Sequence, residues 1–384
     1  MNIARGRRAL LVATGGLVLS QAGAVRAEVT LLSPAEQPRT RPDRVEVKAG
    51  GSIRAQYFNE MGGSDDGSYK HRGYDGGTRF RLHVNYHVND DLTLLSYGEL
   101  GVNTAKVMGW DDHYDQDSSD SATTRRQVYF GFESDRYGRL TAGKQNSVYY
   151  DTVGVSTDVW DYNQFAQAPG VGINGSYDGS YRARRSLRYS NGTEDVTFFA
   201  GWLFPDDDLH LDGPYDYRRR SGGSLGLRWH LTEDLTLGAA YANTSAEIKG
   251  RGDQHSFRQQ LTGSSLTWTG GDWYLAVGAG YYTDFVPDPA ADGLNDYLAS
   301  DAYGVEYIAR YSFQVDHDWV QSIKPFIAGD RLKRLGSADA QSNHQVLGVT
   351  TQFNHGFRLD LERIFANTSD SEPDSILARL RYDF

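Results

Sequence analysis

The 384-residue chain has no cysteine, which excludes disulfide frameworks and thiolate metal sites together. Beyond the first 27 residues no apolar run approaches the roughly 18 residues that a membrane-spanning helix needs, and the mean hydropathy is −0.57. Proline is sparse, at 10 residues. No glycine-rich phosphate loop stands at a strand–helix junction, and no nucleophile motif is found. The 10 histidines are scattered; His83 and His87 share one strand face, but two imidazoles alone make a poor metal site. A basic excess is missing too, since the net charge is −11, which argues against nucleic acid as a partner. Neither a catalytic centre nor a metal or cofactor is expected.

What is present is glycine (43) and tyrosine (25), a composition that favours many strands joined by tight turns. Residues 1–27 read as a secretory signal: Arg5, Arg7 and Arg8 give a basic start, Ala9 to Leu19 an apolar core, and Val25-Arg26-Ala27 a small-residue cleavage site. Residues 28–44, with Pro34, Pro38 and Pro42, read as an irregular lead-in. From 45 to 384 the pattern is one of alternation. Phe80, Leu82, Val84, Tyr86 and Val88 alternate with Arg79, Arg81, His83, Asn85 and His87. Strict period two over ten residues is a strand with one apolar and one polar face. Tyr303 to Phe313, Trp273 to Tyr281 and Ala378 to Phe384 repeat it.

The connections alternate in length. Short, turn-forming ones fall at 89–91, 134–138, 191–194, 232–234, 269–272 and 354–356. Long ones are expected near 59–76, 104–122, 147–180, 205–216, 246–256, 284–300, 334–341 and 368–374, and 314–321 is intermediate. About sixteen strands, even in number, with short turns at one end and long loops at the other, are the pattern of an all-β transmembrane antiparallel β-barrel. Such strands escape hydropathy tests because only one face is apolar. Phe58, Tyr86, Trp202, Trp229, Trp273, Tyr311, Tyr382 and Phe384 suit two aromatic girdles. A soluble sandwich rarely reaches this strand number without subdividing.

Arg126-Gln-Val-Tyr-Phe-Gly-Phe132, Tyr137-Gly-Arg-Leu-Thr-Ala-Gly-Lys-Gln145, Tyr181-Arg182 through Tyr189 and the terminal Ala378-Arg-Leu-Arg-Tyr-Asp-Phe384 resemble strands four, five, six and the last of the trimeric general porins of Gram-negative bacteria. The resemblance implies a sixteen-stranded homotrimer in the outer membrane. It also implies a third external loop, here about 147–180, folded inward to set the narrowest point of the pore. A basic wall of Arg79, Arg126 and Arg182 would face loop acids Asp158 and Asp161, and Glu99 would match a lumen acid. Two departures stand out. The family's Pro-Glu-Phe-Gly-Gly loop motif is replaced by Asp161-Tyr-Asn-Gln-Phe165, and its first-strand lysine by Gly51 or, in function, Arg54.

Arg54 and Arg184 join the wall as secondary candidates, and Asp151 joins the acidic loop. For Arg81, Arg184, Arg358, Arg379 and Arg381 taken singly, solvation of an aqueous face is the default reading. The run Asp111, Asp112, Asp115, Asp117, Asp120 has oxygens suited to divalent cations but lacks the spacing of a dedicated calcium loop, so it reads as a hydrated acidic loop. The expected function is passive diffusion of small hydrophilic solutes and ions. The alternative is a channel selective for oligosaccharides or organic anions, with Tyr149, Tyr150, Trp160, Tyr162 and Phe165 as an aromatic rail; an adhesin or scaffold barrel is a third reading. Expected partners are outer-membrane lipids including lipopolysaccharide, further copies of the chain, and the assembly machinery reading Phe384.

Overall fold

The computed structural model describes residues 28–35, 40–61, 71–109, 121–211, 213–250, 252–288, 291–335 and 340–384. The signal segment and the acidic run of 111–120 lie outside them. Sixteen strands follow one another round a ring: β1 (Val45–Met61), β2 (His71–Asp75 with Arg79–His87), β3 (Leu92–Val102), β4 (Thr123–Ser134), β5 (Gly138–Asn146), β6 (Arg182–Gly192), β7 (Val196–Leu203), β8 (Tyr215–His230), β9 (Leu235–Gly250), β10 (Asp253–Trp268), β11 (Trp273–Thr283), β12 (Asp301–Tyr311 with Phe313–Gln314), β13 (Val320–Leu335), β14 (Gln341–Phe353), β15 (Phe357–Ala366) and β16 (Asp374–Asp383). Every neighbour is antiparallel, and β1 pairs with both β2 and β16. The ring therefore has no free edge, which lipid requires because an unpaired backbone group there costs several kcal/mol.

Phe80, Leu82 and Val84 are exposed on the outer face, as are Ile53, Tyr57, Leu94 and Trp202. Ser52, Arg54 and Gln56, on the opposite parity of β1, are buried inside. This register is strongly specified. A one-residue slip of β2 would move Arg79 and Arg81 into lipid, at about 2–4 kcal/mol each near the bilayer midplane.

The predicted short turns sit where expected. Three expectations change. Residues Glu28–Leu32 form a strand on Val47 to Gly50 rather than irregular chain, fixed by Glu28 against His83 at 3.0 Å. The long connection at 246–256 is a tight hairpin, with Gly250 opposite Asp253. There Ala246 and Ile248 continue the alternation and pack with Tyr217, Phe257 and Leu298; charged Glu247 and Lys249 had disguised it as a loop. Phe58 has the inward parity of β1 and stacks on Tyr162 at 6.3 Å, so it is not a girdle residue.

Candidate functional site

The segment 147–181 does not leave the barrel but lies against its inner wall. It starts with a short helix, Val148–Thr152, capped by the Ser147 hydroxyl, which accepts the Tyr150 N–H at 3.0 Å. Two glutamates on the wall then hold the loop backbone. Glu306 of β12 accepts the Ala166 N–H at 3.0 Å and the Thr157 hydroxyl at 2.7 Å. Glu362 of β15 accepts the Asp161 N–H at 2.7 Å and the Tyr162 N–H at 3.0 Å. Tyr282 and Tyr274 donate to the carbonyls of Ala166 and Ser156 at 2.9 and 2.7 Å. Close seating needs bare wall. A side chain at Gly238 would strike the Thr152 carbonyl, and one at Gly304 the Ala166 carbonyl.

On the wall opposite, Arg79, Arg81, Arg126 and Glu99 stand together on β2, β3 and β4. Glu99 pairs with Arg126 at 2.6 Å and Arg81 at 3.0 Å. Arg79 is placed by a break in β2: Gly77 takes φ +90°, and its carbonyl accepts from Arg79 Nε at 3.2 Å. Arg182 of β6 lies 3.8 Å over the Tyr181 ring. Its charge feels both Glu99 and Asp158. Arg54 reaches the same aqueous face and donates to the Ser52 hydroxyl at 2.8 Å, whereas Gly51 serves the seam, its N–H donating to the Phe384 carbonyl at 2.9 Å. Among the described residues Arg54, Arg79 and Arg182 have no ion-pair partner.

On the loop, Asp158 also has no ion-pair partner among the described residues. It accepts from the Tyr150 hydroxyl and from Asn163 Nδ2, the latter at 3.1 Å. Burial, then the Asp158 charge, pushes the Tyr150 phenol well above its ordinary value, so it stays a donor.

Other expected members of the site are placed elsewhere. Glu99 belongs to the basic wall and not to the acidic loop. Asp151 pairs with Arg188 of β6. Asp161 pairs with Arg379 of β16, an arginine whose default reading was plain solvation. Arg184 is engaged elsewhere, 3.3 Å from the buried Asp206 and 4.2 Å over the Tyr177 ring. A bulge opposite Gly143 and a left-handed Arg185 (φ +47°) take β6 out of strict alternation there. The supposed aromatic rail is largely spent on anchoring: Tyr149, Trp160 and Tyr162 are buried against the wall, and Tyr162 stacks with Phe165 at 4.4 Å.

A family description of Gram-negative porins matches residues 9–317. The chain belongs to that family. It is an outer-membrane channel for passive diffusion. Among solved structures, Salmonella typhi OmpF in complex with daunomycin is 18% identical with a TM-score of 0.68, covering 89% of this chain and 98% of its own. The outer-membrane channel DcaP of Acinetobacter baumannii is 13% identical with a TM-score of 0.64, covering 92% and 100%. The anion-selective porin from Comamonas acidovorans is 12% identical with a TM-score of 0.60, covering 88% and 100%. These likenesses concern the fold. No curated protein matches the chain.

Proposed function

We propose that this porin passes small hydrophilic solutes with a preference for anions, through a constriction bounded by Arg54, Arg79, Arg126 and Arg182 on the wall and Asp158 on the loop. One observation carries the reading. Among the described residues Arg54, Arg79 and Arg182, without ion pairs, stand against the unpaired Asp158 carboxylate, while Glu99, Asp151 and Asp161 are each neutralised by an arginine. The remaining loop carboxylate, Asp178, is taken up by the Asn174 and Ser180 N–H groups at 2.9 and 2.8 Å. Guanidinium groups keep their charge even when crowded, and fixed charge lining a narrow aqueous pore sets which ions enter. The protein's overall acidity does not decide this, because a channel responds to the charges at its narrowest point and those farther than about 10 Å are screened.

In planar bilayers under a potassium chloride gradient, the reversal potential should show chloride favoured. Asp158→Asn should strengthen that preference, and Arg79→Ala with Arg182→Ala should move it toward potassium. Identical reversal potentials in all three proteins would remove the constriction assignment. The chain acts as a homotrimer in this reading; a Vibrio cholerae OmpT structure is described as a trimer form, and cross-linking of the purified protein tests the same for this one. Its surroundings are outer-membrane lipid including lipopolysaccharide, its C-terminal Phe384 is the residue presented to the assembly machinery, and no covalent step is assigned to it.

A further inference from the structure

Beneath the constriction loop, on the side of the short turns, lies a second cavity of about 320 Å³. The loop residues Thr152, Val155 and Ser156 roof it, and strands β8 to β13 form its wall. That volume is near the lower end of the range for small-molecule sites, about 300–1,000 Å³. Of the three cations that line it, Arg228 donates to the Asp151 carbonyl, and the other two stand together. Lys324 of β13 is 8% exposed and Arg310 of β12 is 4% exposed, and each lies within electrostatic reach of the other. Lys324 has no hydrogen bond or ion pair among the described residues. Arg310 is packed 5.0 Å from the Tyr274 ring centroid, and among the described residues only its Nη1 finds an acceptor, the Val159 carbonyl at 3.5 Å. Its Nε is buried with no partner. The nearby carboxylate Asp360 is already held by Arg358 at 2.7 Å.

Buried cations without a counter-ion are costly, and a carboxylate supplies the missing acceptor in charge-assisted hydrogen bonds. The middle of the cavity is lined by the hydroxyl-bearing Ser265, Thr267 and Ser312. Glu233 and Asp272 stand on the short turns that rim it and repel a second anionic group. We infer that this cavity is a binding site for a small hydroxylated monocarboxylate, its acid group taken by Lys324 and Arg310 and its hydroxylated body by the serine and threonine rows. This rests on the chain being a channel, but not on the anion preference of the constriction.

The test is calorimetric titration of detergent-solubilised porin with sodium gluconate in low-chloride buffer, with glucose as the neutral control. Gluconate should bind saturably and glucose should not. Lys324→Gln and Arg310→Gln should each weaken binding by about tenfold or more, and Lys324→Arg should retain it. Arg79→Ala with Arg182→Ala should leave it unchanged even where the reversal potential moves, which separates this site from the constriction. Linear heats without saturation, equal affinity in Lys324→Gln, equal binding of glucose, or loss of binding in the constriction variant would each overturn the assignment. Should the Lys324 variant not fold, wild-type porin in an oriented bilayer decides: gluconate added on the short-turn side should block current at lower concentration than on the other side, and symmetric block refutes the site.

Discussion

Glu99 shows how one side chain sets the charge that a solute meets. Its carboxylate holds Arg126 and Arg81 at once, so it cancels part of the wall while keeping both guanidinium groups aimed inward. Glu99→Gln removes a negative charge without changing size. The expected outcome is a reversal potential shifted further toward chloride, measured in bilayers; a shift toward potassium would mean that the arginines had swung away. Alternation made Arg79 legible in the sequence, whereas Arg126 and Arg182 were reached through family resemblance. Arg126 has the parity of the outward Val128 and Phe130, and a bulge opposite Glu99 and Leu100 turns it inward, while β6 is bulged between Arg182 and Ser186. Which acid meets which arginine was not legible. The loop's path is dictated by wall groups such as Glu306 and Glu362, far away in sequence, and it brings Asp161 to Arg379. The signal that could have found Arg379 was closure itself: the last strand must lie beside the first, next to Arg54.

The inward loop is an element fastened at both of its faces. Glu362 accepts two loop N–H groups, and removing a buried acceptor leaves each donor unsatisfied at about 1–3 kcal/mol. Glu362→Ala should therefore loosen the loop without opening the barrel, giving noisier single-channel currents with unchanged β-sheet circular dichroism. A second fastening runs through Tyr162, whose hydroxyl donates to Glu372 in the connection after β15. His344 touches Glu372 from the other side at 3.1 Å. Burial alone would raise the Glu372 pKa, but the hydrogen bonds from His344 and Tyr162 outweigh it and hold it below the ordinary 4.5. A depressed carboxylate contributes its stability above the unfolded value and loses it as pH falls through the folded one. Resistance of the loop to protease should thus be level from pH 7 to about pH 5 and fall only below about 4.5, while Glu372→Gln should remove that dependence. Neither tie was readable from the chain, since each joins residues about two hundred positions apart.

At the scale of the whole molecule the architecture was the most legible feature, because period two repeated along the chain leaves few folds that bury one face and wet the other. The misread parts are Glu28–Leu32, hidden by the prolines that follow it at 34, 38 and 42, and the hairpin of β9 and β10, where charges interrupt that rhythm without ending the strand. The ring is completed at its seam, where Gly51 and Phe384 exchange backbone hydrogen bonds at 2.9 and 3.2 Å and Phe384 lies 5.9 Å from Phe80. Deleting Phe384 should lower the yield of barrels that run compactly on unheated gels, while the few that form should conduct as the parent does. The seam also fixes the order of events in biogenesis. Gly51 lies on the first strand of the ring and Phe384 just past the sixteenth, so no chain still lacking its final strand can form a sealed wall, and every earlier stage exposes two raw strand edges that something other than the protein itself must shelter.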